Sequence, residues 1–245
     1  MEVTIKQRFN GPPASANGGY ICGILAKAIG GPCEVRLNSP PPLEKNLRIQ
    51  STNHGASLFD NDTLVAEGKS TEINSAPCTF VSYDESQEYA TNGLHFYSIE
   101  HPIPGCFVCG TERKAGDGMR LFAGPELRVL DEGEHYPIAT NWSPDSSLSE
   151  DGRVVDEEFV WSAMDCPSGW AVKFGRDRNA YLDSAMLLGK FANEIFRLPR
   201  VDENCIVVAE YCSADGRKIF TKATLYSSDR ELLANGLGTW IILKP

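Results

Sequence analysis

The chain has 245 residues, 42% of them hydrophobic, and a formal net charge of −10 with a pI near 4.9. The length suits one large domain or two of roughly 120 residues each. The acidic balance argues against a nucleic-acid backbone or an anionic membrane as the main partner, and no apolar run approaches the roughly 20 residues of a membrane span.

The N-terminus, MEVTIKQRF, does not follow the pattern of a signal peptide. The expectation is a cytoplasmic protein whose eight cysteines are free thiols rather than a disulfide frame.

In chain order, the alternation in Val3 to Phe9 predicts a strand, and Asn10-Gly11-Pro12-Pro13 a turn. Ser15 to Ile29 reads as a helix with Asn17 as its N-cap and a stripe formed by Tyr20, Ile21, Ile24, Leu25 and Ala28. Gly30-Gly31-Pro32 stops it. Strand character follows at Glu34 to Leu37, Leu47 to Thr52, Gly55 to Phe59 and Leu64 to Ser70, with Asp60-Asn61-Asp62 as a hairpin turn. Ala76 to Tyr83 is expected to finish the first sheet, and the polar run Asp84 to Asn92 to form a linker or surface turn. Gly175 to Asn179 reads as a loop, and Ala185 to Phe196 as a helix or a long strand.

The stretch Val155 to Trp170, VDEEFVWSAMDCPSGW, organises the rest. Its acidic first turn suits the positive end of a helix dipole. Phe159, Val160, Trp161, Ala163 and Met164 then leave no polar face, so the helix should be buried almost all round. Pro167 and Gly169 are expected to bend or stop it. Asp165 lies inside this apolar run, where a carboxyl is costly unless it is hydrogen-bonded or used. It either ties down a neighbouring backbone group or does chemistry, and both readings stay open at this point.

The second half repeats the grammar of the first. Ala56 to Phe59 followed by Leu64 to Gly68 is matched by Ala223 to Tyr226 followed by Leu232 to Gly236. Glu34-Val35 and the segment to Ile49 are echoed by Glu194-Ile195 and the segment to Val207. The helix at Asp165 then corresponds to the helix at Gly18, which indicates an internal duplication. A long helix lying on a curved antiparallel sheet is the economical way to bury it, and joining two such sheets removes an exposed edge.

Asn17-Gly18-Gly19 opening a helix, Cys106-Phe107-Val108-Cys109-Gly110 with Asp117-Gly118-Met119-Arg120-Leu121 after it, and the closing Gly216-Arg217-Lys218 to Thr239-Trp240-Ile241 carry a resemblance over nearly the whole chain. The chain resembles a double hotdog protein of the acyl-CoA thioesterase superfamily, close to the phenylacetate-type thioesterases. The resemblance implies an α+β fold of two tandem units, residues 1–90 and 91–245. It implies an acyl-CoA or acyl-carrier thioester as partner, no cofactor, and pairing of two chains into a homodimer.

The family's helix opens with a Gly-Gly pair whose amides receive the thioester oxygen, and its catalytic acid lies eight residues after the first glycine. The resemblance therefore assigns the oxyanion amides to Gly18 and Gly19. Eight residues after Glu157, the second-half equivalent of Gly18, stands Asp165; the first half has Ala26 there. One half keeps the glycines and the other keeps the acid, which implies one composite site per chain. In that site Asp165 is general base or nucleophile, while Asn17 and Ser168 are candidates to hold substrate or water besides capping their helices. A non-catalytic acyl-thioester binding protein is the competing reading.

Cys106-x-x-Cys109, with His101 upstream, invites a zinc reading, but structural zinc takes four ligands and no second cysteine pair exists. A packed pair of thiols and no metal are expected. Cys166 has no histidine placed to activate it and reads as a buried thiol.

Overall fold

The computed structural model describes residues 1–99, 101–126, 136–175 and 185–243. Eleven strands form one antiparallel sheet, and three helices accompany it. The first unit contributes β1 (Glu2–Thr4), α1 (Gly18–Ile29), β2 (Cys33–Leu37), β3 (Asn46–Ser51), β4 (Gly55–Asp60) and β5 (Thr63–Ser70). Helix α2 (Tyr83–Ile99) and the short β6 (Gly124–Pro125) follow. Then come β7 (Ile138–Trp142), α3 (Glu157–Trp170), β8 (Met186–Ile195), β9 (Cys205–Asp215), β10 (Lys218–Ser227) and β11 (Leu232–Ile242).

The sheet order is β1-β3-β4-β5-β2-β8-β11-β10-β9-β7-β6. Leaving aside the two-residue β6 at the sheet's end and numbering the other strands within each unit, both halves have the order first-third-fourth-fifth-second, and each carries its helix between its first and second strands. The duplication read from short sequence matches is thus a duplication of topology. The equivalent strands β2 and β8 pair with each other, Val35 opposite Phe191, and so fuse the two sheets. Lys190 Nζ to Glu34 Oε2, at 2.7 Å, crosses the same seam.

Helix α1 lies on β2, β4 and β5, and α3 lies on β9, β10 and β11. The two helices also pack against each other and run antiparallel: Gly19 near the start of α1 meets Trp161 and Asp165, whereas Lys27 near its end pairs with Glu158 at the start of α3. Nearly every α3 residue is buried, as its unbroken apolar character requires. Gly30 and Gly31, with φ of 79° and 72°, carry the chain out of α1 in a conformation glycine adopts freely.

Several local expectations are corrected. The first strand ends at Thr4, and Gln7–Phe9 forms a 3-10 turn. Residues 76–82 form no strand; they run along the second sheet, where Cys78 N donates to Thr224 Oγ1 at 2.8 Å and Tyr226 O–H donates to Cys78 O at 2.6 Å. The polar run Asp84 to Asn92 is helical and forms the first half of α2, where Ser86 is buried and most of its other residues face outward. Pro167 does not end α3, which continues to Trp170; packing on all sides outweighs a proline cost of about 3 kcal/mol. Ala185 to Phe196 resolves to strand β8. Of the loop expected at Gly175 to Asn179, residues 176–179 lie outside the described residues.

The antiparallel helix contact depends on small residues in α1. A Cβ on Gly23 would overlap the Glu158 backbone. Gly23→Ala is therefore expected to lower stability by about 1–3 kcal/mol in urea denaturation, despite alanine's better helix propensity. Unchanged stability would contradict the close approach of α1 and α3.

Candidate active site

Helix α1 begins at Gly18 because Asn17 caps it: the Asn17 side-chain oxygen accepts from Tyr20 N at 2.9 Å. The other end of the same amide is used across the helix pair, where Asn17 Nδ2 donates to Asp165 Oδ2 at 2.9 Å. Gly19 N donates to the same oxygen at 2.8 Å. Asp165 thus sits at the positive end of α1, held by a backbone amide and a side-chain amide. Its other oxygen, Oδ1, is buried with no hydrogen-bond partner among the described residues.

The pair is close because neither partner has bulk to spare. A Cβ on Gly19 would stand 2.5 Å from Asp165 Cβ and 2.6 Å from Trp161 O. Gly19→Val therefore displaces Asp165 as well as shielding the amide, so it cannot separate the two roles. Leu37 and Leu188 cover the Gly18 backbone, each 3.2 Å or less from where a Cβ would stand.

Burial is the dominant influence on the carboxyl, which is 2% exposed. Burial raises its pKa from 3.8 to about 7; the Gly19 amide pulls it down, the neighbouring Cys106 raises it, and Asn17 lowers it. A carboxyl poised there exchanges a proton at neutral pH, as a general base must.

Ser168 stands one turn on, but its hydroxyl does not touch the carboxylate. It donates to the Asp165 main-chain carbonyl at 2.7 Å and accepts from Trp240 Nε1 at 3.0 Å. Trp240 therefore belongs to the support of α3 at Asp165. It lies 72 residues from Ser168, and the closing Thr239-Trp240-Ile241 motif gave it no role at the site. Two surface clefts, one around Phe80 and Arg230 and one between α2 and β7, include none of Asn17, Gly18, Gly19 or Asp165.

At the other end of the helix pair the counterpart positions are Glu157, Glu158 and Ala26. Glu158 Oε2 there meets Lys27 Nζ at 3.0 Å, with the Glu158 side chain only 9% exposed. That end is closed by an ion pair, and the duplicated unit has one carboxyl facing one glycine helix start.

Structural comparison places the chain among double hotdog proteins. A TesB protein from Mycobacterium avium subspecies paratuberculosis superposes with a TM-score of 0.62 at 10% identity, over 99% of this chain and 92% of that one. Acyl-CoA thioesterase II TesB2 from Mycobacterium marinum gives 0.59 at 9% identity, over 100% and 93%. A hot dog fold protein of unknown function from Alicyclobacillus acidocaldarius gives 0.58 at 9%, over 100% and 93%. No protein-family model matches the chain, and no curated protein does. At these identities the likeness establishes the fold.

The raised carboxyl has a consequence for stability. The folded protein binds the Asp165 proton more tightly than the unfolded chain, so the stabilisation is fully present below about pH 4 and is lost as pH rises to about 7. Asp165→Asn removes that loss. Relative to the parent protein it is expected to gain about 2–3 kcal/mol between pH 5 and pH 8 in urea denaturation. A difference independent of pH would contradict a carboxyl titrating near neutrality.

Proposed function

We propose that this double hotdog protein is a thioester hydrolase acting on acyl-CoA or acyl-carrier substrates. The observation that supports it best is a buried carboxyl, raised to about 7, seated with one unpartnered oxygen at the N-terminus of the Gly18-Gly19 helix. The thioesterase names carried by proteins of the same fold point the same way. In this reading the composite site spans both units, and the units are residues 1–90 and 91–245.

The step needs an oxygen nucleophile and a place for negative charge on the thioester oxygen. Ionised Asp165 accepts a proton from water as the water attacks the carbonyl carbon, or attacks that carbon itself to give an anhydride that water then opens. The sulfur leaves as a thiolate and takes up the proton. The Gly18 and Gly19 amides stabilise the oxyanion with the help of the α1 dipole. In the free protein the Gly19 amide is held by Asp165. The incoming carbonyl takes that amide over, which removes one of the two hydrogen bonds to Asp165 Oδ2 and makes the carboxylate a stronger base. Entry also requires Leu37 and Leu188 to move off Gly18. Asn17 stays bonded to the carboxylate and aims it.

One observation favours the second reading, a non-catalytic acyl-thioester binding protein: the Gly19 amide and Asp165 already satisfy each other. The two readings part in one experiment. Short, long and aromatic acyl-CoA substrates are incubated with the protein and the released thiol is measured. Hydrolysis of at least one class is expected, with kcat reduced about 10²-fold or more in folded Asp165→Asn. Binding of acyl-CoA with no thiol released in any class would establish the second reading.

The same assay carries a pH signature. A base with pKa about 7 is ionised above that value, so kcat/KM is expected to rise with pH along a limb centred near 7 and then level off. A flat profile from pH 5 to 8 would remove Asp165 as the base.

A further inference from the structure

Directly beside Asp165 the fold assembles a group of side chains that the hydrolase reading does not use. Cys166 on α3 meets Cys106 and Cys109 from the loop after α2, and the three sulfurs all lie within 4.8 Å of one another. All three side chains are buried. Cys106 Sγ and Cys166 Sγ are 3.7 Å apart, nearly twice the ~2.05 Å of a disulfide. Four thiolates around zinc at a Zn–S distance of ~2.3 Å stand about 3.8 Å from each other, by tetrahedral geometry. The observed Cys106–Cys166 separation, which is also the contact distance of two packed sulfurs, fits an edge of such a tetrahedron without movement.

The local backbone brings the two loop sulfurs together. The loop Cys106-Phe107-Val108-Cys109-Gly110 closes on itself, with Gly110 N donating to Cys106 O at 2.9 Å. A Cβ on Gly110 would overlap that same carbonyl, so glycine is required for the turn. Asn17 Nδ2 reaches Cys166 Sγ at 3.7 Å. Donors aimed at sulfur are the usual outer support of a thiolate metal centre.

His101 belongs to that support and is not a ligand. Its Nε2 lies 3.0 Å from Cys109 O and its Nδ1 accepts from Ile103 N at 3.0 Å, so both ring nitrogens are engaged. No fourth His, Cys, Asp or Glu among the described residues joins the group. Three protein ligands with one open position is the pattern of a zinc that keeps a water.

We propose that Cys106, Cys109 and Cys166 bind one zinc ion tetrahedrally, with water as the fourth ligand. Three soft thiolates select zinc over the hard divalent cations. Binding exchanges the thiol protons for Zn–S bonds, and any protons held are released to solvent. The ion ties the loop carrying Cys106 and Cys109 to α3 at the residue after Asp165, so it steadies the turn of α3 that carries the carboxylate.

The test does not depend on hydrolysis. The untagged full-length chain is purified under reducing conditions, and zinc is quantified by elemental mass spectrometry. About one zinc per chain is expected, falling at least tenfold in Cys166→Ser and in Cys106→Ser, while Cys212→Ser, at an exposed cysteine outside the group, keeps it. The parent protein is also stripped with a chelator, which is expected to lower its Tm, and reloaded with Co²⁺. Reloading should restore Tm and produce sulfur-to-cobalt charge-transfer bands with the strong visible bands of tetrahedral cobalt. Three results would overturn the proposal: a parent protein that carries no zinc and gives no cobalt bands, full stoichiometry in Cys166→Ser, or a disulfide among these three cysteines in the reduced preparation.

Discussion

The structure turns on one contact, the Gly19 amide donating to Asp165 across an antiparallel pair of helices. The contact needs a residue without a side chain on α1, a carboxylate at the facing position on α3, and a helix start whose amides have no partners of their own. Each condition has its own sequence origin. The glycine pair follows an asparagine cap, and the carboxylate lies in a helix apolar enough to be buried on nearly every side. The facing position follows from the sheet, since β2 and β8 join at the seam and set α1 and α3 side by side.

Duplication explains why there is one such contact and not two. Two identical units would place a glycine start against an acid at both ends of the helix pair. Here the second unit has Glu157-Glu158 where the first has glycines, and the first has Ala26 where the second has Asp165. At that far end Glu158 and Lys27 form an ion pair. Burial at one end of the helix pair raises the Asp165 carboxyl to about 7, whereas at the other end Glu158 is paired with a lysine.

Much of this was legible in the sequence, because it followed from periodicity and repetition. The two central helices, the Asn17 cap, the Gly30-Gly31 stop and the hairpin of β4 and β5 came from local pattern. The pairing of Gly19 with Asp165 came from the family resemblance, applied to the two aligned halves. Contacts with no local signature were not legible. Ser168 to Trp240 spans 72 residues and Cys106 to Cys166 spans 60, and only the closed sheet brings them together. Helix α2 was missed because a helix lying on a surface needs only a thin buried stripe, here Ser86, Gly93 and Tyr97. Pro167 misled because intrinsic propensity is a weak guide where packing surrounds a helix.

The central claim is that the Asp165 carboxyl is coupled to the start of α1 and ionises near neutral pH. The most direct measurement is a titration by NMR that follows the Asp165 side-chain carbon and the Gly19 amide proton together. The account expects both to move with a common midpoint near 7, the amide shifting as its acceptor gains charge. A carboxyl midpoint below 5, or a Gly19 amide that stays still while Asp165 titrates, would contradict it.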